Sequence, residues 1–159
     1  MPELARRLTN LAMLPARAAR LALAEPGSAL LAARMGAWVV ALSLLVRLMP
    51  LPRVLSFVAP RRARPKSRAS QREEVTEARL ARLLDALLAA DFWVFTPTCW
   101  KRAPVLHRYL ALRGIETRIV FGVRREGDDA LSGHAWLERE GRPLLESEAP
   151  DYRVTYSFP

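Results

Sequence analysis

This chain of 159 residues carries one thiol, Cys99, and two imidazoles, His107 and His134. Cys99 sits in TPTCWKRAPVLHRYLALRG, and His134 near the start of SGHAWLEREGRPLLESE. A cysteine attacks as its thiolate, so it needs a base within hydrogen-bond reach and a third group to hold that base in place. His107 follows Cys99 by eight residues on the same predicted helix. It would lie roughly 12 Å further along the axis and turned aside by roughly 80°. That leaves His107 a surface or packing residue and makes His134 the candidate base. Carboxylates follow at Glu146, Glu148 and Asp151.

The elements that must position these groups can be read from periodicity. Cys99, Ala103, Leu106 and Leu110 recur at steps of four, three and four, one face of a helix. Thr98 is placed to cap it, Pro97 keeps the preceding chain extended, and Gly114 stops it. Cys99 then falls in the first turn, where the helix dipole favours a thiolate, with Lys101 and Arg102 adding positive charge. Pro104 predicts a kink or a later start.

In GHAWLERE an extended backbone puts His134, Trp136 and Glu138 on one face and Ala135 and Leu137 on the other. A two-residue turn would force positive φ on Glu140. The expectation is therefore a three-residue loop, Arg139-Glu140-Gly141, which pairs Glu138 with Arg142, Trp136 with Leu144 and His134 with Glu146. Directly opposed side chains have Cβ atoms about 5 Å apart. Turn chemistry thus proposes His134–Glu146 as base and orienting acid, and Cys99, His134 and Glu146 as a catalytic set.

Between helix and hairpin, Ile115 to Val123 reads as an inner strand, REGDDALSG as a polar loop bordering a cleft, and YRVTYSFP as a last strand ended by Pro159. The expected fold is α+β, about two helices against an antiparallel sheet of four strands. The order of Cys-helix, strand, His-strand and acid-strand suits a papain- or transglutaminase-like thiol enzyme.

Composition narrows the alternatives. A single cysteine excludes an internal disulfide and suits a reducing, cytoplasmic compartment. With no CxxC and no HExxH, no metal is expected, and without a P-loop or GxGxxG no nucleotide cofactor. The net charge of +9 is unevenly placed: residues 1–72 hold 13 Lys and Arg against 2 Asp and Glu, and residues 73–159 hold 12 against 14. A basic arm on a near-neutral core points to an acidic partner, a peptide or a membrane surface rather than to nucleic acid.

Two regions follow: a hydrophobic, basic, helical 1–72 and a catalytic 73–159. Residues 3–24 carry a leucine stripe (Leu4, Leu8, Leu11, Leu14) with arginines mostly outside it, an amphipathic helix with the composition of a transit peptide. After Glu25-Pro26-Gly27-Ser28 comes the most apolar run, ending before Pro50. Twelve uncharged residues separate Arg34 from Arg47, fewer than the roughly 20 of a membrane span. This favours a buried or interfacial helix. Residues 61–72 read as a basic linker that could meet anionic lipid. At Glu73 a helix opens whose stripe is Leu80, Leu83, Leu84, Leu87 and Leu88. Phe92, Trp93 and Phe95 read as core.

The run CWKRAPVLHRYLALRGIETRIVFGVRRE…GHAWLEREGRPLLE resembles the transglutaminase-like C-terminal domain of the lasso-peptide leader peptidases, over about residues 90–156. Its parts are a Cys at a helix start, RGI-x-x-R leading to GVR, a HAW strand and a G-x-P-L hairpin. The resemblance implies a cysteine protease that removes the leader from a ribosomally made precursor before a separate, ATP-using cyclase closes the ring. Cys99 and His134 match its Cys and His. Its third member is typically Asp; here Glu146 stands in that place, with Glu148 and Asp151 as fallbacks. No leader-recognition module is visible in residues 1–72, so the resemblance implies a small separate recognition protein. The other readings are an acyltransferase or amidase of the same fold, or a non-catalytic peptide- or membrane-docking module.

Overall fold

The computed structural model describes residues 26–60, 70–89, 95–96, 98–126, 130–146 and 149–159. The readings of residues 3–24, Phe92, Trp93 and Glu148 lie outside these. Among the described residues four helices, α1 (Pro26–Leu48), α2 (Leu51–Val58), α3 (Ser70–Leu88) and α4 (Cys99–Ala111), precede four strands, β1 (Arg118–Glu126), β2 (Ala130–Arg139), β3 (Arg142–Leu144) and β4 (Arg153–Phe158). The sheet is antiparallel in the order β3-β2-β1-β4. The α+β expectation holds: α3 and α4 are the two helices expected against the sheet, α1 is the apolar helix expected to end before Pro50, and only α2 had no expected assignment. α3 opens at Ser70, so the stretch read as linker ends earlier than Arg72. The expected polar loop is mostly strand: β1 runs to Glu126, and β2 already begins at Ala130.

The helix bearing Cys99 is the hub, touching α1, α2, α3, β1 and β2. Its Ala103, Val105, Leu106 and Leu110 are buried among Met35, Val39 and Leu42 of α1, Val54, Leu55 and Val58 of α2, and Leu80, Leu84 and Leu88 of α3. The sheet contributes Ile119, Ala135 and Leu137 to the same core. Burying one leucine-sized side chain is worth about 1.5–3 kcal/mol, so α4 is held from several sides at once. It starts at Cys99 despite Pro104, which is buried inside it. A proline costs the helix one N–H, but the expected later start does not occur because tertiary packing outweighs that loss.

At its other end Gly114, at φ 82°, allows Ile115 N–H to bond Leu110 C=O and Gly114 N–H to bond Ala111 C=O. This is a Schellman cap, with buried Ile115 following the turn. Arg108 fastens α1 and α2 to α4: its guanidinium lies 4.0 Å from the Trp38 ring centroid, and Nη1 donates to the Val58 carbonyl at 2.6 Å. Glu77 of α3 is buried and paired with Arg139 Nη1 of β2 at 2.9 Å.

α1 is apolar on two opposite sides. Ser28, Ala32, Met35, Val39 and Leu42 face the core, while Leu30, Leu44 and Leu48, about 160–180° away at 100° per residue, are exposed. By length and composition Gly27–Leu48 could cross a membrane, with mean hydropathy 2.0 and a third of the stretch buried.

His107 is 5% exposed, with Nδ1 3.0 Å from Thr117 Oγ1 and its ring edge-on to Phe158. Burial pushes its pKa below the ordinary 6.5, partly opposed by a hydrogen bond from the ring to the Thr117 backbone. Below pH 6.5 the unfolded imidazole takes up a proton that the folded one resists, so unfolding binds protons and stability falls with falling pH. Thermal melts from pH 8 to 5 should show this loss beginning near pH 6.5, and His107→Gln should flatten that part of the curve relative to the parent protein.

Candidate active site

The site forms where β3 stops. β3 pairs with β2 only at Leu137↔Leu144, Glu138↔Pro143 and Arg139↔Arg142. This is the two-residue turn that the sequence reading rejected, not the three-residue loop. Glu140 takes φ 52° and Gly141 φ 77°, the pattern of a type I′ turn. The strand twist favours such a turn strongly enough for a non-glycine residue to adopt the left-handed region, at a cost of roughly 1–2 kcal/mol.

Continued straight in that register, β3 would set Glu146 opposite Ala135, on the wrong face for His134. It does not continue. Leu145 adopts φ 60°, the strand ends, and Glu146 is brought round so that Oε2 lies 3.3 Å from His134 Nε2. The expected contact exists, by a route other than the expected register. Among the fallbacks, Asp151 is exposed.

Beyond Leu137 the β2 edge has no β3 partner. Cys99 approaches there from the start of α4, with Sγ 4.0 Å from the Gly133 carbonyl oxygen, the outer limit for a thiol donor. Cys99 is half-buried. With Thr98, Arg102, Asp85, His134, Leu145 and Glu146 it lines an open cleft of about 460 Å³. Thr98 does not cap through its hydroxyl as expected; its backbone carbonyl accepts from the N–H groups of Lys101 and Arg102. Its Oγ1 turns instead toward the Thr96 carbonyl, at 3.5 Å.

The two cations expected to surround the thiol have other duties. Lys101 is buried and donates to Thr96 Oγ1 at 2.6 Å, with burial holding its pKa below the usual lysine value. Arg102 grips Asp85 of α3 with Nε at 2.7 Å and Nη2 at 3.3 Å, while its Nη1 lies 3.6 Å from Glu146 Oε1. Asp85 had no place in the sequence reading, because a carboxylate on a polar helix face gives no signal of its partner.

His134 is also flanked by two aromatic rings. Trp136 stacks on it with centroids 5.8 Å apart and planes 16° apart, and Tyr152 packs at 5.2 Å. Trp136 Nε1 donates to Glu138 Oε1 at 3.1 Å, which fixes the indole. Gly122 faces His134 across the β1–β2 ladder, next to a bulge in the β1–β4 pairing. A Cβ there would come 2.7 Å from Tyr152 Cβ and 3.0 Å from two Trp136 ring carbons. The missing side chain is the space the aromatic pair occupies. Gly122 of the GVR run and Trp136 of HAW belong to the linear motif, but only the cross-strand register shows what they do.

Chemically, a thiol, an imidazole with one nitrogen committed to a carboxylate, and the N-terminus of a helix meet on one open cleft, which is what nucleophilic acyl chemistry requires. Among the described residues no group of three or more His, Cys, Asp and Glu is placed to hold a metal ion. The family model described as transglutaminase-like superfamily matches residues 38–157, from within α1 through most of β4. No curated protein and no solved structure matches the chain significantly.

Gly122→Ala should lower stability by about 1–3 kcal/mol through overpacking and also slow alkylation of Cys99 by iodoacetamide, because the rings against His134 must move. Melting curves and alkylation rates measured on the same preparation separate the two effects.

Proposed function

The chain belongs to the transglutaminase-like superfamily, and from that premise we propose that it is a cysteine protease that cuts the leader from a ribosomally synthesised lasso-peptide precursor. The observation that carries the reading is that Cys99, His134 and Glu146, spread over 48 residues of chain, line one cleft. Cys99 attacks the carbonyl carbon at the leader–core junction, while His134 takes the thiol proton and then delivers it to the departing amine. Water attacks the resulting thioester, regenerates the thiol and releases the leader as an acid. Glu146 occupies Nε2 of His134, so Nδ1 is the nitrogen assigned to the thiol and the amine. The backbone N–H of Cys99, at the positive end of α4, is the first oxyanion donor.

The choice of a lasso precursor within this fold rests on the linear motif, from the Cys-helix through GVR and HAW to the G-x-P-L hairpin. In this reading a separate recognition protein presents the leader and a separate cyclase takes the product. The exposed α1 stripe is the surface on which a peripheral membrane contact would rest. From residue 26 to residue 60 the chain has Arg34, Arg47 and Arg53 and no acid, which suits anionic lipid.

Mixing the protein with a candidate precursor and the recognition partner, then weighing the products, tests the reading. Cys99→Ala should abolish cleavage, and His134→Ala should reduce it by at least about a hundredfold. His107→Ala should retain cleavage per folded molecule while melting earlier, because it empties a buried position. If His134→Ala cleaves normally and His107→Ala does not, the base is misassigned. If the Cys99 thiol also resists iodoacetamide at pH 6–7, the non-catalytic docking reading takes over. Transfer of an acyl group to an added amine, without leader removal, would favour the acyltransferase reading.

A further inference from the structure

We propose that Arg102 is a positioning residue for the catalytic acid, and that Asp85 holds it in that role; the proposal rests on the protease reading of the same cleft. The contacts form a chain across three layers. Asp85 on α3 takes the Nε and Nη2 edge of the guanidinium, Arg102 on α4 turns Nη1 toward Glu146 Oε1, and the other Glu146 oxygen meets His134 on β2. Two-point attachment to Asp85 fixes the plane of the guanidinium, because only a fork can be held that way. The remaining nitrogen then has one direction to point, and Glu146 lies along it at 3.6 Å.

Glu146 needs such a hold more than an aspartate would. It has one more rotatable bond, and it follows a left-handed residue at the end of a strand rather than sitting within one. Neither oxygen can be fixed by the β-ladder. Arg102 restrains one oxygen, and the other is left for the imidazole.

The charges are balanced for this purpose. An unpaired guanidinium beside Glu146 would compete with the imidazolium for the carboxylate. Asp85 engages Arg102 from the other side, so that Glu146 contacts both the guanidinium and the imidazole. Arg102 is also one helical turn from Cys99, so the helix that carries the nucleophile carries the restraint on the acid. Displacing α4 would disturb both together.

An ordinary surface ion pair would behave differently. The Asp85 side chain is 48% exposed, and pairs of that kind contribute little to stability. A purely structural Arg102 would therefore leave both melting and chemistry nearly unchanged on substitution. A positioning Arg102 leaves melting nearly unchanged and alters the chemistry.

The test uses the full chain and two readouts: iodoacetamide alkylation of Cys99 from pH 5.5 to 9, and precursor cleavage with the recognition partner. Arg102→Gln should lower kcat by about tenfold or more with little change in KM, and should move the alkylation profile to higher pH. Arg102→Lys should recover only part of the rate, since an ammonium cannot grip Asp85 at two points. Asp85→Asn should show a smaller loss of the same sign. Melting temperatures should stay within a few degrees of the parent. If the parent thiol already behaves as an ordinary exposed one, and cleavage survives Cys99→Ala, the protease reading and this proposal both fall. If the parent is activated and Arg102→Gln leaves its alkylation profile and kcat unchanged, or lowers activity only in proportion to lost folded protein, the positioning role alone is overturned.

Discussion

A strand that ends after three residues is the constraint on which this site depends. While β3 pairs with β2, its side chains are committed to the two faces of the sheet by a period of two. Pairing Leu144 with Leu137 fixes every later position on an extended β3, and that assignment puts residue 146 on the side opposite His134. Only a break in the ladder can reverse it. The left-handed Leu145 supplies the break, at a local backbone cost, and in doing so uncovers the edge of β2 at Gly133. The same interruption therefore brings in the carboxylate and admits the thiol.

What the interruption loosens must be held by other means, and the fold supplies them from both faces of the sheet. On one face α4 is packed by three other helices and ended by a Schellman cap, so Cys99 projects from a rigid element. On the other, the ring of His134 lies against Trp136 and Tyr152 in space that exists because residue 122 has no side chain. Cys99 comes from the helical layer and His134 from the opposite sheet face, and they can approach only at the rim, where no third strand intervenes among the described residues. This is also why the cleft is open.

The sequence made legible what periodicity and residue chemistry encode locally. The Cys-helix and its glycine stop, the inner strand, the face shared by His134, Trp136 and Glu138, and the exclusion of His107 from the thiol's surroundings all follow from spacing along one element. The hairpin shows where that logic ends. The penalty for positive φ at Glu140 is real, but small beside the preference of twisted strands for a type I′ turn, and a sequence does not weigh the two. The predicted register was off by one position, and the predicted His134–Glu146 contact was reached only because a further left-handed residue, Leu145, offset that departure. Thr98 is another case: a residue with the right side chain for capping turned its hydroxyl to a neighbouring carbonyl. Arg102 and Asp85 lie 17 residues apart on different helices, and no local pattern joins them.

A glutamate rather than an aspartate at position 146 fits the same geometry. An acid held within a strand opposite the histidine would be brought close by the ladder, and a short side chain would suffice. Here the ladder ends two residues before the acid, and the backbone leaves the sheet through a left-handed bend. The carboxylate must cover more of the remaining distance through its own side chain, and a longer side chain has more ways to miss. The added reach of glutamate and the added restraint from a guanidinium are thus two parts of one solution, and neither works well without the other. Shortening Glu146 to aspartate would move the carboxylate away from His134 and from Arg102 together. Its effect should therefore overlap with that of removing the arginine rather than add to it, as expected for groups that act through a shared partner.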